Sequence, residues 1–280
     1  MGKITILGSA AAEGIPAMFC NCRVCTEAWK NGGRDLRMRA AYKLNDRVRI
    51  DFGPDSLVQE HKYQLHSENL KHLFISHSHE DHFYVELLNY RRPGFSAVAE
   101  DNILNIYGNV GVMDVIYGHF SKMRCNFRFY RLNPVEIKAF EPVEVPEEDM
   151  TFHPLKANHM PTEQPHFFIV RHGKKWLMIA NDTGYFCEED WEYIASLKCR
   201  FDVVITDCTG GSRDIRDGHM SGKYVLDTKK RLEEMGCVTD ETQYFINHFS
   251  HNGYLTHAEF EAFYNPHGIQ VGYDGLEIEY

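Results

Sequence analysis

The 280-residue sequence lacks any apolar run close to the roughly 18 to 20 residues that a membrane-spanning helix needs. Its opening, MGKITILGS, has no basic segment followed by an apolar core, and Ile6 stands where a myristoylation motif requires Ser or Thr. Repeats, low-complexity tracts and Pro- or Ser-rich linkers are also missing. We therefore expect a cytoplasmic protein without a lipid anchor, folded as a single domain over residues 1–280.

The sequence also lacks a dense block of basic residues. It has 30 Lys and Arg against 40 Asp and Glu, so its formal net charge of -10 repels a nucleic-acid backbone. A tRNA-processing nuclease would need a basic RNA-binding arm, and no such insertion is visible. The charge balance favours a small anionic substrate held by metal ions, with neither nucleic acid nor a membrane as a partner.

Strand-like and helix-like segments alternate along the whole chain. Runs rich in β-branched and aromatic residues predict strands, and two apolar runs on either side of residues 172–174 predict a β-hairpin. Helical periodicity predicts four helices, one of which stops at Gly236. The predicted strands are KITILGS, VRIDFGP, HLFISH, NILNIYGN, MTFHPLKAN, FDVVITDC, YFINHFS and IQVGYDGLEIEY, and the helices are VGVMDVIYGHFSKM, EEDWEYIASL, GKYVLDTKKRLEEMG and AEFEAFYNPHG. Strands and helices alternate, but hairpins occur among them. This mixture favours an architecture with helices packed outside stacked sheets over one with a single, purely parallel sheet.

The densest group of metal-ligand side chains follows the apolar strand HLFIS. These side chains are His77, His79, Asp81 and His82. A loop at a strand's end can aim alternate side chains at one point and their neighbours at a second, and imidazole with carboxylate suits zinc, manganese or iron. A solvated polar turn is the alternative, but the density of ligands favours metal binding.

Four further polar residues each stand just beyond a predicted strand: His159, Asp182, Asp207 and His248. Each one alone is more often a surface or capping residue. Loops that follow strands, however, can converge on one edge of a sheet. The repeated placement therefore predicts that they gather near the metal loop.

The spacing of His77, His79, Asp81 and His82 resembles the HxHxDH signature of the metallo-β-lactamase-fold hydrolases, and the later residues follow in the expected order. The resemblance implies an α/β fold, a four-layer αββα sandwich with a dinuclear metal site at the sheet edge. It implies one metal held by His77, His79 and His159, a second held by Asp81, His82 and His248, and Asp182 as the bridge. His79 occupies a position that is Glu in the redox di-iron branch, so the resemblance favours hydrolysis.

Cys20, Cys22 and Cys25 gather three thiols in a Gly- and Ala-rich loop. Tetrahedral zinc needs a fourth ligand, and His251 is the candidate. Chance burial of three reduced thiols is the alternative, but the spacing favours a structural zinc that holds the loop and a dimer contact. The scattered cysteines are expected to be small buried apolar residues: Cys125, Cys187, Cys199, Cys208 and Cys237.

The cysteine loop, the NHFSH segment and the C-terminal VGYDGLEI together resemble the phosphoribosyl 1,2-cyclic phosphate phosphodiesterases of the carbon–phosphorus lyase pathway. The pyrroloquinoline quinone biosynthesis B proteins share the fold and a similar loop. The resemblance implies cleavage of a small cyclic phosphodiester by a metal-bridging hydroxide, with two Mn, Zn or Fe ions, one structural Zn and a homodimer. Two alternatives stay open: a hydrolase or oxygen-dependent enzyme acting on a non-phosphate metabolite, as in cofactor biosynthesis, and a non-catalytic metal-binding protein.

The same resemblance implies catalytic roles for Asp81, Asp182 and His219. His219, in RDGHMSGKY, would contact the phosphate or protonate the leaving oxygen, and an exposed loop histidine is the alternative. Asp51 and Asp207 are expected to support a metal-bound histidine from outside, or to cap strand ends.

Two neighbouring features of the metal loop remain. Arg91 and Arg92 could grip a phosphate, but a solvated helix face is favoured. Val85 stands where the family usually has Gly. No ligand changes there, so we expect the metals to be retained and the pocket shape to differ.

Overall fold

Two seven-stranded sheets form the centre of the protein in a computed structural model that describes residues 2–123 and 126–280. Helices lie on the outer side of each sheet, which confirms the predicted αββα sandwich. Cys125 lies outside the described residues. No helix in the described ranges is long and apolar enough to cross a bilayer.

The first sheet combines an antiparallel edge with a parallel run. Its strands are β1 (Lys3–Gly8), β2 (Ala41–Lys43), β3 (Val48–Ile50), β4 (His72–Phe74), β5 (Leu104–Gly108), β6 (Leu132–Glu136) and β14 (Glu277–Glu279). Their order is β14-β1-β2-β3-β4-β5-β6, with β3 to β6 parallel and the others antiparallel.

The second sheet repeats this plan. Its strands are β7 (Val143–Val145), β8 (Met150–Lys156), β9 (His166–His172), β10 (Lys175–Ala180), β11 (Val203–Asp207), β12 (Gln243–Asn247) and β13 (Gln270–Val271). Their order is β13-β12-β11-β10-β9-β8-β7, and β9 and β10 form the predicted hairpin. Strands β10 to β13 are parallel, so their carboxyl ends share one edge.

The helices begin where side chains can satisfy free backbone N–H groups. Asn109 accepts from the Val112 N–H at the start of α3 (Val110–Ser121), and Thr256 forms a reciprocal capping box with Glu259 at the start of α7 (His257–Tyr264). Gly236, at φ +72, ends the turn after α6 (Lys223–Glu234) as predicted. The helices are α1 (Arg23–Asn31), α2 (Ser56–Tyr63), α3 (Val110–Ser121), α4 (Phe127–Tyr130), α5 (Glu188–Leu197), α6 (Lys223–Glu234) and α7 (His257–Tyr264).

The four layers pack against one another through three main clusters of buried apolar residues, and β9 contributes to two of them. Phe168 and Val170 point between the sheets, where they pack in the cluster that also contains Phe74 of the first sheet. Phe167 and Ile169 point the other way and pack under the helices with Trp191. A third cluster lies between the first sheet and α3. Strand β9 is therefore buried on both faces, which accounts for its nearly continuous apolar sequence.

A tyrosine hydroxyl joins the two sheets at the edge where the candidate ligands lie. Tyr42, on β2 of the first sheet, is fully buried and accepts a hydrogen bond from Asn247 Nδ2 at 2.7 Å and another from Asn181 Nδ2. Asn181 directly follows β10 and Asn247 ends β12, and both strands belong to the second sheet. Each asparagine directly precedes a candidate metal ligand, Asp182 or His248, so the link fixes the start of both ligand loops.

We predict that Tyr42→Phe destabilises the protein by about 1–3 kcal/mol, because two buried amide N–H groups lose their acceptor. Urea unfolding followed by circular dichroism measures the change. Tyr130→Phe is the matched control, since the buried Tyr130 hydroxyl has no partner among the described residues. Equal losses in the two variants would contradict the assigned role of the Tyr42 hydroxyl.

Candidate metal centres

The candidate ligands of the predicted dinuclear site converge at the edge where the parallel strands of both sheets end. They form two groups, and within each group the ligand atoms all lie within 4.8 Å of one another. The groups are His77, His79, His159 and Asp182, and Asp81, His82, Asp182 and His248. Asp182 belongs to both groups, which is the position of a bridging ligand.

The metal loop, residues 77–82, is held in a tight turn against the strand end of β3. The His82 and Phe83 N–H groups donate to the His79 carbonyl, and the Phe52 N–H donates to the His82 carbonyl at 2.7 Å. A Cβ at position 53 would collide with the Asp81 carbonyl, so only Gly53 permits this approach. The turn directs the side chains of the loop into the cluster.

Most of the clustered histidines have one ring nitrogen anchored outside the cluster. Asp51 Oδ2 lies 2.7 Å from His82 Nδ1, as predicted for Asp51, and Thr209 Oγ1 lies 2.8 Å from His248 Nδ1. The Gly218 carbonyl accepts from His159 Nδ1 at 2.9 Å. An outer partner of this kind fixes ring orientation and tautomer, so Nε2 faces the cluster.

Several of the inward atoms are buried without a hydrogen-bond partner in the described parts of the chain. They are His82 Nε2, His248 Nε2 and Asp182 Oδ1. His82 Nε2 lies 3.1 Å from carboxylate oxygens of both Asp81 and Asp182, yet it makes no hydrogen bond of acceptable geometry. Because buried polar atoms are normally paired, converging unpaired nitrogens and oxygens fit divalent metal ions as their missing partners.

The backbone at this edge adopts a conformation that side chains rarely allow. Asp51, Asp182 and His248 have φ values of 63°, 52° and 62°, in the left-handed region. Each such non-glycine residue costs about 1–3 kcal/mol, and this strain tends to concentrate at functional sites. Packing and hydrogen bonding around the strand ends therefore hold these side chains in place against a local penalty.

Charge balance in the cluster rests on buried carboxylates facing imidazoles. Burial alone would raise the pKa of Asp182, but the neighbouring imidazoles, with His248 first among them, hold it well below its usual range. Asp207 is fully buried and accepts from the backbone N–H groups of Asp182 and Met220. The expectation that Asp207 supports a histidine agrees with its 3.2 Å contact to His248 Nδ1.

His219 lies beside this cluster with one nitrogen facing the carboxylates. Its Nδ1 is 3.1 Å from Asp182 Oδ1 and 3.4 Å from Asp207 Oδ2. Burial alone would lower the pKa of His219, but these two carboxylates raise it to about 10. Nε2 is then the nitrogen available to a ligand.

The Cys20, Cys22, Cys25 and His251 ligand atoms also lie within 4.8 Å of one another. His251 Nδ1 is 3.5 Å from the Sγ atoms of both Cys20 and Cys22. Burial alone would raise the pKa of Cys22, but hydrogen bonds, led by that from the Cys25 backbone, lower it to about 7. The thiolate form that binds zinc is thus accessible near neutrality at Cys22, whereas burial raises the pKa of Cys25 to about 12.

A cavity of about 390 Å³ opens above the histidine and aspartate cluster. Its floor is formed by residues of the cluster, including His79, Asp81 and His219. Glu13 and Arg213 belong to the remaining wall. The volume suits a small-molecule substrate.

A sequence model of the beta-lactamase superfamily domain matches residues 46–238. The chain belongs to the beta-lactamase superfamily. This confirms the family predicted from the metal-loop signature. The fold of this superfamily implies divalent metal binding, in agreement with the clustered ligands.

Two solved structures share the fold along their whole length. A new diphosphatase from the PhnP family has a TM-score of 0.74 and 20% identity, covering 100% of this chain and 97% of that one. Zn(2+)-bound PqqB from Methylobacterium extorquens has a TM-score of 0.71 and 16% identity, covering 99% of this chain and 100% of that one. These likenesses match the two families that the sequence resembles.

A curated relative is an octanoyltransferase from Porphyromonas gingivalis, which is 26% identical over 290 residues. The match covers 98% of this chain and 51% of that protein. The chain thus spans about half the length of this curated relative.

Sequence reasoning missed two side chains that orient the ligands of this superfamily member. Thr209 contacts His248. The available signal was its position two residues after Asp207, where the Thr209 N–H donates to Asp207 Oδ1 and closes a turn. Glu163 accepts a hydrogen bond from the Ser78 N–H at 2.8 Å and so holds the metal loop in place. No local pattern marks Glu163, because its partner lies far away in sequence.

The segment after the metal loop contradicts one of the expectations about it. Val85 is buried and begins the 3-10 helix Val85–Arg91, where it packs with Leu88. The solvated face expected for Arg91 is wrong, because that side chain is only 9% exposed. Arg92 is half-buried, with its guanidinium 4.4 Å above the Phe95 ring.

Of the scattered cysteines, three are buried as predicted and Cys187 is half-buried; the three are Cys199, Cys208 and Cys237.

We predict that Cys22→Ser removes one metal ion per chain and lowers Tm, because the four-ligand site loses a thiolate while the histidine cluster is unchanged. Elemental analysis of protein purified without chelators, together with calorimetry, measures both effects. Cys187→Ser is the matched control. Retention of every metal ion by Cys22→Ser would rule out the cysteine site.

Proposed function

We propose that this superfamily member is a dinuclear metal-dependent hydrolase that cleaves a small cyclic phosphodiester. The observation that supports it most is the pair of ligand groups sharing Asp182 at the floor of a cavity of about 390 Å³. The likeness to a diphosphatase of the PhnP family agrees with phosphate chemistry. We propose a homodimer as the functional unit, by analogy with the family resemblance.

Each part of the proposed site has a defined task. One ion would be held by His77, His79 and His159 and the other by Asp81, His82 and His248, with Asp182 shared. When bound, two divalent ions, Mn, Zn or Fe, supply an activated water and positive charge for the phosphate oxygens. Asp51, Thr209 and the Gly218 carbonyl keep the imidazoles oriented, so that the chain itself sets the separation of the two positions.

Two side chains outside the ligand set act on the substrate. Arg213 brings a guanidinium to the cavity wall, where it attracts an anionic substrate despite the net charge of -10. His219 holds a proton on a ring whose Nδ1 faces Asp182 and Asp207. Its Nε2 is therefore placed to donate that proton to the departing oxygen.

The cysteine centre has a structural task in this proposal. A zinc ion held by Cys20, Cys22, Cys25 and His251 would have no open position for water. Ser250 and His251 follow His248 closely, and the Ala11 N–H donates to the Phe249 carbonyl at 2.8 Å. The zinc would thus fix the loop that also presents His248.

A second candidate is a hydrolase that acts on a non-phosphate ester such as an acyl thioester. The observation that favours it is the 26% identity with a protein named an octanoyltransferase. The two candidates differ in the bond cleaved, so parallel assays with a ribosyl cyclic phosphate and an octanoyl thioester separate them.

We predict that Asp182→Ala lowers turnover of bis-p-nitrophenyl phosphate by about 1,000-fold or more, because it removes a ligand shared by both metal positions. Turnover is measured after reconstitution with manganese or zinc, and metal content is measured on the same sample. The exposed Asp240→Ala is the control. Full activity of Asp182→Ala on every substrate that the wild type cleaves would refute the dinuclear proposal.

We predict that His219→Asn lowers turnover by about 100- to 1,000-fold for phosphodiesters with alkoxide leaving groups, because the proton donor is lost. With p-nitrophenolate, which leaves without protonation, we expect a loss below about tenfold. Metal content should not change. An equal loss for both kinds of leaving group would assign His219 to binding rather than to proton transfer.

A further inference from the structure

A second cavity, of about 260 Å³, lies apart from both candidate metal centres. It is bounded by α2, the 3-10 helix Val85–Arg91 and the start of β5. We call it the apolar cavity, because its lining is dominated by apolar side chains, among them Phe52, Leu57, Leu70, Leu87, Leu88 and Leu104.

One cationic side chain stands in this apolar lining without a counter-charge. Arg91 is 9% exposed and lines the cavity. Its Nη2 donates to the Asn102 carbonyl at 2.8 Å, whereas Nε has no hydrogen-bond partner and the guanidinium forms no ion pair within the described ranges. Burial, with the charge of Arg131, lowers the pKa of Arg91 to about 10, so it remains a cation at neutral pH.

The neighbouring charges do not neutralise Arg91. Arg131, 8% exposed, donates from Nη1 to the Arg91 carbonyl and adds a second buried positive charge. Glu60 lines the same cavity, but its carboxylate is bound to Arg49 and Ser67. Glu68 lies at the exposed rim and contacts His66. An isolated buried cation is costly, which points to an anion from outside the chain.

We propose that the apolar cavity binds a medium-chain monocarboxylate, with the carboxylate on Arg91 and the aliphatic tail among the leucines. The planar guanidinium matches a carboxylate in a two-point hydrogen-bonded pair. A dianionic phosphate fits less well, because Glu60 and Glu68 add negative charge to the same lining.

The size of the cavity sets the tail length. A volume of about 260 Å³ equals the space of about eight or nine liquid water molecules at about 30 Å³ each. A chain of about six to ten carbons therefore spans the useful range. Burial of this tail supplies the hydrophobic part of the binding free energy.

The test is titration calorimetry of the full metal-loaded chain, stripped of bound lipid, with hexanoate, octanoate and decanoate. We expect saturable binding with one site per chain and a rise in Tm with ligand concentration. Octylamine and octanol, which share the tail but carry opposite or no charge, should bind at least about tenfold more weakly. Octanol binding as tight as octanoate, or no octanoate binding at all, would overturn the proposal.

Substitutions assign the site. Arg91→Met keeps the side-chain length and removes the charge, so octanoate binding should fall at least about tenfold, while Tm without ligand stays equal or rises. Leu57→Asp places a negative charge at the mouth on a residue that is 56% exposed, so it should block binding without unfolding the chain. Arg92→Met, next to the cavity but outside its lining, is the control and should bind octanoate normally. Equal octanoate affinity in the wild type and in Arg91→Met would place the ligand elsewhere.

Discussion

The Tyr42 hydroxyl is the one polar contact on which the geometry of the candidate site depends most. It joins β2 to the ends of β10 and β12, and the residues that follow Asn181 and Asn247 are Asp182 and His248. Both of these ligands have φ values in the left-handed region, which is unfavourable for residues other than glycine. The hydrogen bonds at the preceding residues, together with those of Asp207 to Asp182 and of Thr209 to His248, limit how far each strained turn can relax. The separation of the two ligand groups follows from the contact between the sheets.

Electrostatics supports the proposal that metal ions complete this edge of the sheets. Asp51, Asp182 and Asp207 are buried, and each faces one or more imidazoles. Their interactions with protonated histidines would balance charge without metal, but the inward nitrogens of His82 and His248 would still lack partners. Divalent ions satisfy these nitrogens and the carboxylates together. Arg91 presents the opposite case, a buried cation that forms no ion pair within the described parts of the chain.

The sequence predicted most of the strands, four helices, the hairpin and the family, because these rest on periodicity or on a signature within six residues. The single strand predicted over IQVGYDGLEIEY is wrong, because this segment forms β13 and β14 in different sheets. Sequence reasoning missed β2 and β7, since three residues show no alternation, and β6, because LNPVE contains a proline. Helices α1, α2 and α4 were also missed, and each spans nine residues or fewer. Glu163 and the burial of Arg91 depend on contacts distant in the chain, which no local pattern encodes. The metal assignment itself remains a proposal, although the ligands that it names lie together.

The five-residue segment NHFSH serves two sites at once, because His248 belongs to the histidine cluster and His251 to the cysteine group. Because His248 and His251 are only three positions apart, an ion bound to one group would restrain the segment that serves the other. A zinc ion on the cysteine group would immobilise the segment before the weaker, more labile catalytic ions arrive. Scarcity of zinc in the cell would then reduce activity even when manganese or iron is plentiful. The protein would then depend on two different metals, because one short segment supplies ligands to both sites.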